Sequence, residues 1–396
     1  MIITANRLEL LSAAQDAEQI APTSSPLDVL QCTSLRTEDG KLTVTATNVE
    51  LTLERRIPAD IFEEGSVVID AGLLVKMLRL LESETVTVEQ TSNVVATVKG
   101  GSATYSIITF DAGMYPQMEI PFPEDTVPVT GIPAMAKRTV FAVSEDENKP
   151  QMKCVHLIFS SDGLHAVGSD GLQIAAARGD SKAVGAVDML IPATSLAKLA
   201  RLVSNKDTLR VGTTGKDVVF FKDDFAFSAR LIEGNYFDAD QLLGRVHPSF
   251  TILTDADQLK YCLSSVYSVT GSQNRFSVSF SGTRLQMRCE SEYGASVSGM
   301  DVVPLSGAPT GVYWYNPAKL MGCLRAQNGT LILGVAQNGA LQLQTDDLIC
   351  LLMATREPKP IELKQPVRKA EAEPKPKAKT EKKKKKNEDA ALPAAA

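Results

Sequence analysis

The chain has little of what enzyme chemistry is usually built from. Histidine occurs three times in 396 residues, at His156, His165 and His247, without the spacing of a metal site. No Ser-His-Asp or Cys-His arrangement is suggested, and no G-x-S-x-G elbow is present, so the GSDG of Gly168 to Gly171 reads as a turn. Around Gly212 to Asp217 the run VGTTGKD lacks the glycine spacing of a phosphate loop, has Asp after its lysine and continues as VVFF, which marks a hairpin turn. Asp255 and Asp257 open a helix, where carboxylates suit the dipole, and no carboxylate cluster supports a metal-dependent nuclease. Cys32, Cys154, Cys262, Cys289, Cys323 and Cys350 are scattered with no CxxC pair, as expected for reduced, buried thiols rather than a disulfide or zinc frame. No run approaches the ~20 apolar residues of a membrane span. The start, MIITANRLELL, lacks the parts of a signal peptide. These absences point to a non-catalytic, cytoplasmic protein that needs no cofactor or metal and no membrane.

What is present is a repeat. LLVKMLRLL (Leu73 to Leu81), SLAKLARLV (Ser195 to Val203) and KLMGCLRAQ (Lys319 to Gln327) are three leucine-rich helices, with arginines at Arg79, Arg201 and Arg325. Their spacings of 122 and 124 residues are domain-sized. Before each copy comes a strand with a polar turn, TATNVELTL, AVGSDGLQI and MRCESEYGA, and after each come alternating hairpin runs such as TLRVGTTGKDVVFFKDDFAFSARLI. Each module opens with a helical stretch, Arg7 to Ile20, Pro133 to Val143 and Asp255 to Val269, the last with Thr254 as candidate cap. The order predicts an α+β fold of three repeated domains, each with two helices packed on antiparallel sheet. Composition divides the chain into 1–125, 126–246, 247–357 and a tail, 358–396. Proline-rich Pro116 to Pro128 and the run Asp238 to Phe250 serve as linkers.

Charge is informative once the chain is divided. Overall there are 41 Lys and Arg against 47 Asp and Glu; from Glu357 onward the count is 12 against 7, which leaves 29 against 40 in the body. An acidic body does not attract phosphates, so any nucleic-acid contact needs a segregated basic surface. The repeated helices offer one, with Lys76 and Arg79, Lys198 and Arg201, and Lys319 and Arg325 opposite the apolar stripe. On one helix such residues are simply a solvated face. Three aligned arginines in an acidic body favour a shared surface. The tail, rich in Lys, Pro, Ala and Glu, reads as disordered, with Lys382 to Lys386 a candidate for nonspecific DNA attraction.

These residues resemble a known family, the bacterial replicative sliding clamp, which is the β subunit of DNA polymerase III. The resemblance rests on TVTATNVEL in the first module, AVGSDGLQIA and FSARLIEGNYFDADQLL in the second, and YNPAKLMGCL and CLLMATR in the third, and covers residues 1 to 357. It implies DNA-clamp domains, two chains meeting head to tail as a homodimer of six domains around double-stranded DNA, read without sequence preference. It implies basic helices facing the DNA. It also implies a peptide groove between domains 2 and 3 for the polymerase III catalytic subunit, the clamp loader and other proteins carrying a clamp-binding motif. Position by position that groove is Met152, Ser169, Gly171, Leu172, Gln173, Ile174, Phe237, Gln241, Leu242, Asn316, Leu351, Met353 and Arg356. Read without the family, the same apolar residues could simply join two domains. The chain departs from the family's His-Arg pair at Leu172 and Gln173, from its Phe-Pro pair at Tyr236 and Phe237, and from its Met-Pro-Met-Arg end at Met353 to Arg356. For the dimer interface the resemblance marks Tyr105 and Ile107 in the first domain and the stretch Thr270 to Phe276 in the third. The alternative is a divergent paralogue serving as a peptide-binding adaptor that does not encircle DNA.

Overall fold

Seven helices punctuate the residues that the structure, a computed structural model, describes, namely 1–181, 187–269, 271 and 274–361. They are α1 (Arg7–Ile20), α2 (Ala71–Leu80), α3 (Ile132–Thr139), α4 (Ala193–Leu202), α5 (Ala239–Gly244), α6 (Ala256–Tyr267) and α7 (Pro317–Arg325). Residues 362–396, which hold nearly all of the tail, lie outside the described residues. Short polar side chains start most of the helices: Asn6 accepts from the N–H groups of Leu8 and Glu9, Asp70 from Leu73, and Asn316 from Ala318 and Lys319. At α6 the cap is Asp255 rather than Thr254. Its Oδ1 accepts from Asp257 and Gln258 at 3.0 and 2.9 Å, whereas Thr254 still belongs to strand Pro248–Asp255. The carboxylate is the stronger acceptor and sits one residue nearer the helix. α3 also stops earlier than the pattern suggests, passing at Thr139 into a 3-10 turn, Val140–Ala142.

Each module repeats one plan. The opening helix leads to three strands: Cys32–Glu38, Lys41–Thr47 and Leu51–Glu63 in the first, Cys154–Ser160, Gly163–Ser169 and Gln173–Gly179 in the second, Asn274–Ser281, Arg284–Ser291 and Gly294–Asp301 in the third. After the second helix come three more, ending in Ala103–Ile108, Phe225–Arg230 and Leu348–Leu352 respectively. The opening helix packs on the second helix and on the third strand of its own module in every case. Apolar residues of helices and strands form one contiguous core, in which Leu74, Leu196 and Leu320 from the repeated helices are buried. All six cysteines are buried and free. Burial pushes the Cys32 thiol up to about 12 and the Cys154 thiol up to about 11, far from reactive thiolates.

Sheets run across the module boundaries. Leu51–Glu63 of the first module pairs antiparallel with Phe225–Arg230 of the second, with Leu53 opposite Phe227. Gln173–Gly179 of the second pairs in the same way with Leu348–Leu352 of the third, with Ala175 opposite Cys350. An N–H at the end of each last strand closes the junction: Arg230 donates to the Glu50 carbonyl and Met353 to the Leu172 carbonyl, both at 2.9 Å. The third strand of one module thus joins the last strand of the next. Two strands of these types are left at sheet edges, Ala103–Ile108 and Gly294–Asp301.

The linkers lie against the junctions. Between the first two modules the chain passes so close to Gly212 that an added Cβ would sit 2.4 Å from the Asp125 carbonyl oxygen, which explains the glycine. Ile120 is buried there against Val219 and Ala226. Between the second and third modules the linker carries α5, where the sequence pattern suggests a bare connection.

Candidate functional site

The helix faces carry the basic residues unequally. Lys76 and Arg79 on α2, Arg201 on α4 and Arg325 on α7 are exposed. Lys198 and Lys319, expected on the same basic face, are used inside the chain. Lys198 is half-buried and its Nζ donates at 3.2 Å to the carbonyl of Ile20, the last residue of α1. Burial, helped by neighbouring Arg201, lowers the pKa of that ammonium. Lys319 forms an ion pair with Asp170 across the second junction. The arginine repeat survives as an exposed feature, whereas these two lysines bind modules together. The sequence pattern shows which face a lysine occupies but not what a neighbouring module places opposite it.

Six of the residues marked for a peptide groove fall into two neighbouring groups. Ile174, Leu351 and Phe237 share an apolar cluster with Val167, Tyr236 and Ala239 of α5. Tyr236 and Phe237 stack with ring centroids 4.5 Å apart. Leu172, Gln173 and Asn316 instead line a cleft of about 680 Å³ together with Phe141, Asp170 and Lys319. The Met353–Leu172 backbone bond ties the groups to each other. Leu172, Leu242 and Met353 remain 58, 38 and 37% exposed, a large apolar offering to solvent at a module junction.

Polar residues hold this turn rigid. Ser169 Oγ donates to the Gln173 carbonyl at 2.7 Å and accepts from the Gly171 N–H, while Gly171 supplies the left-handed conformation at φ +87. Gln173 is buried, and its Nε2 donates to Asp170 Oδ2 and the Phe141 carbonyl. Its Oε1 has no hydrogen-bond partner among the described residues. Met152 sits in a 3-10 turn, its carbonyl accepting from the Ser144 N–H; the Gln241 N–H donates to Asp238 Oδ1; Arg356 is exposed. None of these last three lines the cleft. Asp170 is the residue that sequence reasoning misses. It takes four bonds, from the Leu172 and Gln173 N–H groups, Gln173 Nε2 and Lys319, and its signal is the GSDG turn itself.

At the sheet edges the structure redraws the expected interface. Tyr105 and Ile107 lie on the half-buried face of Ala103–Ile108, packed against the core, while Thr104, Ser106 and Ile108 are exposed. Of the stretch Thr270 to Phe276, Asn274, Arg275 and Phe276 belong to an inner strand of the third module's sheet. Strand Asn274–Ser281 has Arg284–Ser291 along its whole length on one side and Thr310–Trp314 along Ser277 to Ser281 on the other, so it is not the edge of its sheet. Thr270, Ser272 and Gln273 lie outside the described residues. The open edge of the third module is Gly294–Asp301. Among the described residues no group of three or more His, Cys, Asp or Glu could hold a metal ion, and no helix is long and apolar enough to cross a membrane.

Known proteins share this plan. Residues 1–119 match the family "DNA polymerase III beta subunit, N-terminal domain" and residues 126–238 match "DNA polymerase III beta subunit, central domain". A beta sliding clamp of Bacillus subtilis is 23% identical over 258 residues, which span 61% of this chain and 68% of that protein. One of Treponema pallidum is 23% identical over 245 residues, 60% of this chain and 65% of the relative. The matched segments thus span about two thirds of these relatives' own length. Among solved structures, a putative DNA polymerase III beta subunit from Eubacterium rectale superposes with a TM-score of 0.83 at 17% identity, covering 90% of this chain and 100% of that one. A sliding clamp from Pseudomonas aeruginosa bound to griselimycin gives 0.80 at 18% identity, over 90% and 99%.

Proposed function

Because this chain belongs to the DNA polymerase III beta-subunit family, we propose that it is a sliding clamp, a non-catalytic processivity factor that holds a DNA polymerase on duplex DNA. Two chains meet head to tail and close a six-domain ring, with domains at 1–125, 126–246 and 247–357. The observation that carries this reading is the pair of edges left over by the two internal junctions. Ala103–Ile108 is a last strand without a following third strand, and Gly294–Asp301 is a third strand without a following last strand. Each is what the other lacks. A contact of that kind is heterologous, and it yields a closed assembly only when the rotation per module returns the chain to its start.

Within the ring, Arg79, Arg201 and Arg325 face the DNA backbone from equivalent helices. Contacts to phosphate position without reading sequence, as a sliding protein requires. The acidic remainder of the body faces solvent. Partner proteins dock a short peptide with apolar anchors at the junction of the second and third modules, over Leu172, Leu242 and Met353. The griselimycin complex of the Pseudomonas aeruginosa clamp supports a ligand-binding surface on this fold.

The decisive experiment is size and topology together. The chain is expected to run as a dimer of twice 42.6 kDa, to stay on circular DNA once loaded and to slip from the same DNA after linearisation. A strict monomer would favour the peptide-binding adaptor instead. Converting Arg79, Arg201 and Arg325 to Ala should reduce the slope of log affinity against log salt by about 1 for each phosphate that is no longer neutralised. An unchanged slope would remove these helices from the DNA-facing surface.

A further inference from the structure

The internal junctions are templates for the joint between chains, because the modules can be aligned residue by residue on their turns. Thr47–Thr52, Ser169–Ile174 and Glu290–Ala295 are paired residues with four residues between them at equivalent turns, the third turn being tightened by a further Ser291–Gly294 pair. Leu53, Ala175 and Ser296 therefore occupy the same place in the three modules. The closing hairpins align in the same way on Gly100–Ala103, Lys222–Phe225 and the Thr345–Leu348 bond. Tyr105, Phe227 and Cys350 are therefore equivalent. Since Leu53 faces Phe227 and Ala175 faces Cys350, Ser296 of one chain should face Tyr105 of another.

Exposure supports this register independently. Ala103, Tyr105 and Ile107 are half-buried, and so are their partners Ser298, Ser296 and Gly294; Thr104 and Ser106 are exposed, and so are Val297 and Ala295. A slip of one residue would set every half-buried position against an exposed one. One step beyond, where the internal junctions place the Arg230–Glu50 and Met353–Leu172 bonds, the register brings Ile108, 85% exposed, opposite Tyr293, 67% exposed.

The helices follow the same template. At the first junction α4 meets α1, with Lys198 on the Ile20 carbonyl. At the second, α7 meets the 3-10 turn after α3, and the position three before its arginine is Gly322, where an added Cβ would lie 2.7 Å from Phe141. The position three before Arg79 is Lys76, exposed in the single chain. We propose that Lys76 is a joint residue, donating to the last turn of α6, which ends at Tyr267, in a second copy whose Gly294–Asp301 strand lies on Ala103–Ile108 in the Tyr105–Ser296 register. The proposal rests on the ring reading and fixes which residues make the joint. It takes Lys76 from the DNA-facing set, as the structure takes Lys198.

Two variants of the full chain test it. In the template the Arg230–Glu50 bond makes alternate positions hydrogen-bonded, so Ala103 and Ser298 fall on a closely spaced non-hydrogen-bonded pair suited to a disulfide. Ala103→Cys with Ser298→Cys should give a covalent dimer on mild oxidation, and Ala103→Cys with Val297→Cys should not. Lys76→Met should raise the dimer dissociation constant roughly tenfold or more, the scale of one charge-assisted hydrogen bond. A dimer that crosslinks only in the slipped pair, or whose dissociation is unmoved by Lys76→Met, overturns this inference and leaves the ring standing. A wild-type chain that is monomeric throughout overturns both.

Discussion

Ile108→Asp is expected to weaken the dimer about thirtyfold while leaving the chain folded. Ile108 is 85% exposed in the single chain, so a carboxylate there is fully hydrated and domain stability should change by less than about 0.5 kcal/mol. In the joint the same carboxylate would replace the apolar contact with Tyr293 at the rim of the ladder, since the equivalent pairs Arg230–Glu50 and Met353–Leu172 stay exposed at the internal junctions. At about 1 kcal/mol per joint for a lost cross-strand pair, and with two joints in a closed ring, the dissociation constant should rise about thirtyfold. Sedimentation equilibrium gives the dissociation constant, and retention on circular DNA gives the consequence, which should shorten as dissociation rises. An Ile108→Asp chain with unchanged dimer dissociation and unchanged retention would contradict the joint. Ile108→Val should behave as wild type.

Phe227→Ala is expected to cost about 3–5 kcal/mol of stability. Phe227 is fully buried and serves two purposes: it fills the core of the second module, and it faces Leu53 where the first module's sheet continues into the second. Little around it can collapse into the space, because the strand is paired on both sides, with Asp217–Lys222 and with Leu51–Glu63. The denaturant midpoint should fall accordingly. A loss under about 1 kcal/mol would mean that the two modules are held together by something other than this shared sheet.

How much of the molecule is legible in the sequence depends on whether a residue's role is local. The three leucine-rich helices, the alternating strands and the buried cysteines follow from periodicity within one element, and the structure has them where the pattern places them. Roles set by a neighbouring module are not legible. Lys198 and Lys319 sit on the polar side of their helices as the pattern requires, but Ile20 and Asp170 reach them from the preceding module. The open edge of the third module is misplaced for a related reason. The sequence of strand Asn274–Ser281 gives no sign that it has a neighbour on each side rather than one. The groove set follows position alone, so it gathers residues from two groups that the turn at Asp170 separates. α5 is hidden because six residues carry too little periodicity to stand out in a linker.

The linkers give the proposed ring a mechanical asymmetry. Both internal junctions are backed by a continuous peptide chain, and at the first of them that chain is seated against Gly212 with Ile120 buried. In that ring the proposed joint between chains would have the same ladder of hydrogen bonds but no such strap. Under outward load all six junctions of the hoop share the strain, yet only at the two unstrapped ones does loss of the ladder open the ring, because a peptide chain spans each of the others. Such a ring has its doors built in at two opposite places, and a machine that pries it open needs to grip only the ladder between Ala103–Ile108 and Gly294–Asp301.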